Sequence, residues 1–146
     1  MAVCGGFTAG EGFPEKVSQR IRTVVVDDSD SFLEITSHLL DLEAIDLVAA
    51  ASDGVEVIGL AARLRPELVV MDVVLSGLDG LAVAALLSDM SPAPVVVLMS
   101  AADTPQLRTA AQRAGAFALV IKGNFRHEFA AALERLQQGD AAREIA

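Results

Sequence analysis

The 146-residue chain is more than half apolar, enough for one domain that buries roughly 68–70% of its unfolded surface. Its net charge of −9 and its lack of Trp and Tyr exclude direct nucleic-acid binding, which needs a basic stripe and stacking platforms. No run of about 18 apolar residues spans a membrane. No export signal opens the chain, and Ala2 stands where myristoylation needs a glycine. The lone Cys4 builds neither a disulfide framework nor a metal cluster, so a reduced cytoplasm is expected.

Met1 to about Arg22 holds Gly5, Gly6, Gly10, Gly12 and Pro14 without periodicity and reads as a flexible arm over residues 1–21. From Thr23 onward short β-rich runs alternate with longer amphipathic ones, giving one domain over residues 22–138 and a tail over 139–146. Val24-Val25-Val26 is a strand that runs into Asp27-Asp28. Ser31 to Leu42 sets Phe32, Ile35, Leu39 and Leu40 on one face, a helix pattern, and Asp28 or Ser29 is available to cap it. Asp46 to Ala51 is a second strand, broken by Ser52-Asp53-Gly54. Gly54 to Arg65 is helical through Val57, Ile58 and Ala61 and stops before Pro66.

The third strand, Leu68-Val69-Val70-Met71, ends at Asp72. The loop Ser76-Gly77-Leu78-Asp79-Gly80 and a short helix from Leu81 to Ser88 follow it. Pro92 and Pro94 precede a fourth strand, Val95 to Met99, which runs into Ser100. Thr104 to Ala114 is a helix with Thr104 as its cap and Pro105 in its first turn, ended by Gly115. A fifth strand, Leu119-Val120-Ile121, runs into Lys122. The last helix, Phe125 to about Gln138, carries Phe125, Phe129, Leu133 and Leu136 on its core stripe. Uninterrupted Val/Leu strands alternating with helices predict an α/β fold: a doubly wound, flavodoxin-like (βα)5 unit with a five-stranded parallel sheet in the order 2-1-3-4-5.

Four of the five strands end in a polar or ionisable residue. In a parallel sheet those ends border the crevice where ligands bind, so Asp27, Asp28, Asp72, Ser100 and Lys122 converge there. A strand-end Asp commonly caps a helix or forms a turn. Three carboxylates in one place, however, repel one another, and a hard divalent cation relieves them. Mg²⁺ characteristically takes one or two carboxylates, waters and phosphate oxygens. Asp27 and Asp28 then hold the metal, and Asp72 is the nucleophile that forms an aspartyl phosphate.

Lys122 is informative because the chain has nine Arg and only two Lys, and an ammonium is a compact point charge where a guanidinium is a wide fork. A Ser at the core edge commonly bonds backbone and a strand-end Lys is commonly solvated. Here both ends face Asp72, so Lys122 could pair with Asp72 before reaction and with a phosphoryl oxygen after it, and Ser100 could donate to another. One charge pair near a surface is worth about 4 kcal/mol before desolvation, and turning a two-state protein from mostly off to mostly on takes roughly 5.5 kcal/mol. Several groups must therefore act together.

Val24-Val25-Val26-Asp27-Asp28, Val69-Val70-Met71-Asp72, Leu78-Asp79-Gly80, Met99-Ser100-Ala101, and Gly115-Ala116 ahead of Lys122, in this order, resemble the receiver domain of two-component response regulators from about Arg22 to Gln138. The resemblance implies that Asp72 accepts phosphate from a sensor histidine kinase or a phosphotransfer protein. It implies Mg²⁺ held by Asp27, Asp28, Asp72 and the carbonyl of Val74, with Ser100 and Lys122 sensing the phosphoryl group. Rearrangement of the fourth helix, fifth strand and fifth helix would then alter binding of a downstream protein or a homodimer partner.

The chain departs from that pattern in four places. Leu75-Ser76 stands where the family often has Met-Pro, and Gly123 where a cis-proline often follows the Lys. Leu119 occupies the aromatic switch position, and Phe117, two residues earlier on the same strand face, is the nearest ring. Val74 offers no polar group to orient an attacking water, which predicts slow self-dephosphorylation.

Two other readings are weighed. Asp28-Ser29-Asp30-Ser31 resembles the start of haloacid-dehalogenase-type phosphatases, but those need an acidic pair on a strand after the Lys, and only a helix and tail follow here. A receiver-like interaction module without phosphorylation is the other, and the retention of Asp27, Asp28, Asp72, Ser100 and Lys122 argues against it. His38 and His127 fall in helices without a partner constellation and read as surface or packing residues. Gln137-Gln138-Gly139-Asp140 leaves two cases, a stand-alone regulator or part of a longer protein.

Overall fold

The computed structural model describes residues 20–76 and 78–139. Of the arm read over residues 1–21 and the tail read over 139–146, residues 1–19 and 140–146 lie outside the described residues, while Ile21 already opens the first strand. Five strands, β1 (Ile21–Val26), β2 (Ile45–Ala51), β3 (Leu68–Asp72), β4 (Val95–Ser100) and β5 (Ala118–Ile121), alternate with five α-helices. These are α1 (Phe32–Leu40), α2 (Gly54–Leu64), α3 (Gly80–Ser88), α4 (Pro105–Arg113) and α5 (Phe125–Gln137), with a 3₁₀ turn at Lys122–Asn124. The sheet is parallel throughout in the order β2-β1-β3-β4-β5, as the strand pattern predicts. Among the described residues no helix is long and apolar enough to cross a membrane.

The sheet divides the apolar residues into two cores because successive side chains point to opposite faces. Val24, Val26, Val69, Met71, Val96, Leu98 and Leu119 pack on one side, against α2, α3 and α4. Val25, Leu68, Val70, Val97, Met99, Ala118 and Val120 pack on the other, against α1 and α5. The central strand β3 is buried along its whole length, and each such Val or Leu contributes roughly 1.5–3 kcal/mol by leaving water.

Local chemistry fixes where the helices begin and end. Asp53 accepts from the Glu56 N–H at 2.8 Å and caps α2. Asp79 accepts from Leu81 N–H at 3.0 Å and caps α3. Thr104 accepts from Leu107 N–H at 3.1 Å and caps α4, with Pro105 in the first turn. Gly115 follows α4 at φ +87°, a left-handed conformation that favours glycine.

Two expectations change. Neither Asp28 nor Ser29 caps α1: the cap position is Ser31, without a side-chain cap bond, because the nearby hydroxyls are drawn to Asp27. Phe117 does not share a face with Leu119. It sits in the bend after Gly115, ahead of β5, and packs with α1 and α5, while Leu119 packs on the opposite side. Strand alternation does not extend through that bend.

Candidate functional site

Register sets the site. Val26 pairs with Met71, Asp72 with Met99, and Ser100 with Ile121. Asp27, Asp72, Ser100 and Lys122 therefore emerge side by side along the carboxyl edge of four strands. Among the described residues the buried polar side chains are Thr23, Asp27, Asp72 and Ser100, so three of these four stand at that edge. Burying a charge is costly unless it is paired, and the pairing partner here is Lys122.

Lys122 Nζ donates to Asp72 Oδ2, lies 3.2 Å from Asp27 Oδ2 and donates to Ser29 Oγ at 3.0 Å. Its ammonium thus stands between two carboxylates whose side chains are almost inaccessible. The turn that carries it is anchored by Glu128, which accepts from the Ile121 N–H at 3.0 Å. Burial of Lys122 lowers its pKa, but its hydrogen bond to Asp72 and the charges of Asp72 and Asp27 outweigh that, so the net shift is upward.

Asp27 is held by its own loop as well. Its Oδ1 accepts from the Ser29 N–H at 2.8 Å and the Ser29 hydroxyl at 2.6 Å, and its Oδ2 from the Ser31 hydroxyl at 2.9 Å. Burial raises its pKa, yet those hydrogen bonds and the charge of Lys122 outweigh burial and bring it below the ordinary value. Asp72 Oδ1 accepts from the Val74 N–H at 3.0 Å, while the Val74 side chain is 73% exposed beside it.

The other two predicted groups point elsewhere. Asp28 is exposed, and its Oδ2 accepts from both the Ser76 N–H, at 2.9 Å, and the Ser76 hydroxyl. Ser100 Oγ donates to the Ala102 carbonyl at 2.7 Å and accepts from the Ala102 N–H at 3.0 Å, closing a small turn. Among the described residues no three acidic side chains are gathered as a group that could hold a metal ion. The donors themselves are hard carboxylate oxygens, the chemistry that suits Mg²⁺, and the site already draws in a positive charge. A pocket of about 230 Å³ lined in part by Phe32, Ser52 and Glu56 opens onto Asp27.

Ser29, Ser31 and Ser76 are site residues that strand-end reasoning missed. Ser29 and Ser31 left a signal, an alternating pair of hydroxyls directly after the acidic pair. Leu119 is buried in β5 with no ring at its position. His38 Nδ1 accepts from Arg126 at 2.9 Å and its ring stacks on Phe125, a packing role between α1 and α5.

The family model for the response regulator receiver domain matches residues 23–134. Protein-glutamate methylesterase/protein-glutamine glutaminase 4 of Myxococcus xanthus is 36% identical over 104 residues, 70% of this chain and 30% of that protein. Response regulator GacA of Pseudomonas aeruginosa is 32% identical over 120 residues, 82% of this chain and 56% of that protein. The chain thus spans about a third of the methylesterase relative and just over half of GacA. Among solved structures, the signal receiver domain of NarL from Mycobacterium tuberculosis aligns with a TM-score of 0.75 at 29% identity, covering 83% of this chain and 98% of that one. The response regulator domain of Thermotoga maritima CheB aligns with a TM-score of 0.70 at 26% identity, covering 82% and 95%.

Proposed function

The chain belongs to the response regulator receiver domain family, and on that premise we propose that it is a phosphorylation-dependent switch with Asp72 as the phosphoacceptor. The observation that carries this reading is the Lys122 ammonium, seated between the buried carboxylates of Asp72 and Asp27. A carboxylate oxygen of Asp72 attacks the phosphorus of a phosphohistidine or a small acyl phosphate. The new P–O bond forms as the P–N or P–O bond to the donor breaks, and the donor leaves with the electron pair.

Asp72 then carries the phosphoryl group and no longer satisfies Lys122 as a free carboxylate. Lys122 follows the negative charge onto a phosphoryl oxygen. Ser100 gives up its bond to the Ala102 carbonyl and donates to another phosphoryl oxygen, exchanging a neutral hydrogen bond for a stronger charge-assisted one. Mg²⁺, when bound, would neutralise charge on the transferring group, with Asp27, Asp28, Asp72 and the Val74 carbonyl as its ligands.

The output in this reading is altered binding of a downstream protein or a second copy through α4, β5 and α5. The input is a sensor histidine kinase or phosphotransfer protein. Methylesterase and glutaminase activities are those named for the relatives. The chemistry proposed for this chain is limited to self-catalysed phosphotransfer and slow autodephosphorylation.

Incubation with a small acyl phosphate and Mg²⁺, followed by intact mass measurement, tests the reading. The wild-type chain gains one phosphoryl group and Asp72→Asn gains none. Equal uptake by both would place the acceptor elsewhere, and uptake by neither would favour the interaction module.

A further inference from the structure

The acidic pair is divided. Asp27 turns inward to Lys122, Ser29 and Ser31, whereas Asp28 turns to Ser76, 48 residues away in sequence. Both donors of Ser76, N–H and O–H, fall on the same oxygen, Asp28 Oδ2. The backbone of Ser76 is itself fixed, because it pairs with Asp53 in an isolated parallel bridge, and Asp53 is tied down as the cap of α2. A proline at position 76 would have neither an N–H nor an O–H to give. The Leu75-Ser76 departure therefore has a chemical consequence: it creates a two-donor hold on a carboxylate that a proline would leave free.

We propose that Ser76 is a positioning residue that holds Asp28 apart from Asp27 and Asp72 and so weakens Mg²⁺ binding. The proposal rests on the reading of Asp28 as a magnesium ligand. Mutual repulsion of the three carboxylates is eased in two ways in this chain: the single charge of Lys122 is shared by Asp27 and Asp72, and Ser76 draws Asp28 aside. Turning Asp28 toward Mg²⁺ would break its bond to the Ser76 hydroxyl, and the free energy of that hydrogen bond would be subtracted from the affinity. A hydrogen bond to a charged group is worth more than a neutral one, and solvent exposure at Asp28 reduces it. The net effect is about a fivefold loss of affinity, a factor expected of a modest charged hydrogen bond.

Calorimetric titration of the purified chain with Mg²⁺ alone tests this with four proteins: wild type, Ser76→Ala, Ser76→Thr and Asp28→Asn. Ser76→Ala is expected to bind Mg²⁺ about fivefold more tightly. Ser76→Thr keeps the hydroxyl at an exposed position and is expected to match wild type. Asp28→Asn is expected to bind much more weakly than either. Ser76→Ala binding no more tightly than wild type, with Asp28→Asn weakened, would overturn the hold while leaving Asp28 a ligand. Asp28→Asn binding as well as wild type would overturn the assignment of Asp28 and the proposal with it.

Discussion

At the strand ends two carboxylates are almost inaccessible and one ammonium is largely covered, and the protonation of Asp27 and Lys122 is tied to the fold. The lowered pKa of Asp27 means that its stabilisation is present above the ordinary value of 3.8 and is lost as acid titrates through the lower folded value. The raised pKa of Lys122 has the opposite sense: its contribution is full below 10.5 and is lost as pH rises through the higher folded value. Between those limits the pair stabilises steadily.

Removing the cation leaves Asp27 and Asp72 facing each other uncompensated. Lys122→Met is therefore expected to cost about 2 kcal/mol, short of a fully buried broken pair because Lys122 keeps a solvent-facing edge. Under the proposed magnesium site, Mg²⁺ is expected to restore part of the loss by binding only the folded state. Urea unfolding with and without Mg²⁺ measures both, and an unchanged midpoint without the metal contradicts the pairing. Val74 leads to a kinetic prediction. Its exposed apolar side chain beside Asp72 cannot orient water, so the phosphoryl group persists for minutes or longer and Val74→Asn shortens that lifetime several-fold. A lifetime of seconds in the purified wild type would contradict this.

Asp27, Asp72 and Lys122 were legible in the sequence because strand period and strand end alone decide where they emerge. The partners of Asp27 and Asp28 were not. The directions of the Ser29, Ser31 and Ser76 hydroxyls depend on loop paths, which no periodicity encodes. Ser100 was legible in place but not in orientation, since its own turn competes for the hydroxyl.

At the scale of elements, the seam between β3 and α3 determines how accurately Asp72 is held. Gly80 opens α3 directly against the end of β3. A Cβ there would stand 2.7 Å from Val73 Cα and 2.9 Å from its carbonyl carbon, and these are backbone atoms that cannot swing away. Gly80→Ala is therefore expected to destabilise the fold by about 1–3 kcal/mol through overpacking and to slow phosphoryl uptake, because the strand that yields is the one bearing Asp72. Thermal unfolding and uptake rate measure the two effects. Full stability with normal uptake would contradict this account of the seam.

The strands and helices themselves followed from pattern, with the Asp53, Asp79 and Thr104 caps and the stop at Gly115 marking their limits. The pattern failed where chain direction changes. Phe117 lies in a bend rather than in β5, and α1 begins without the side-chain cap that Asp28 or Ser29 offered.

For the whole molecule, the proposed switch requires a phosphoryl group at one edge of the sheet to be felt on the α4, β5 and α5 side. Ser100 ends β4 and Lys122 follows β5, so both groups that would grasp the phosphoryl oxygens are attached to that side. Both new bonds would replace ones already made, Lys122 to Asp72 and Ser100 to the Ala102 carbonyl, so only the difference counts toward the roughly 5.5 kcal/mol that a full population shift needs. Leu119 is buried in β5 and carries no ring, so in the proposed switch the shift is expected to run through β4 and β5 rather than through rotation of an aromatic side chain.

All of this depends on where the phosphoryl group is attached. Reduction of the phosphorylated chain with borohydride converts an aspartyl phosphate to homoserine, and peptide mass spectrometry then reads its position. Homoserine at Asp72 is the predicted result. Homoserine at Asp27, Asp28 or another carboxylate, or none after confirmed exposure to phosphodonor and Mg²⁺, would contradict the assignment.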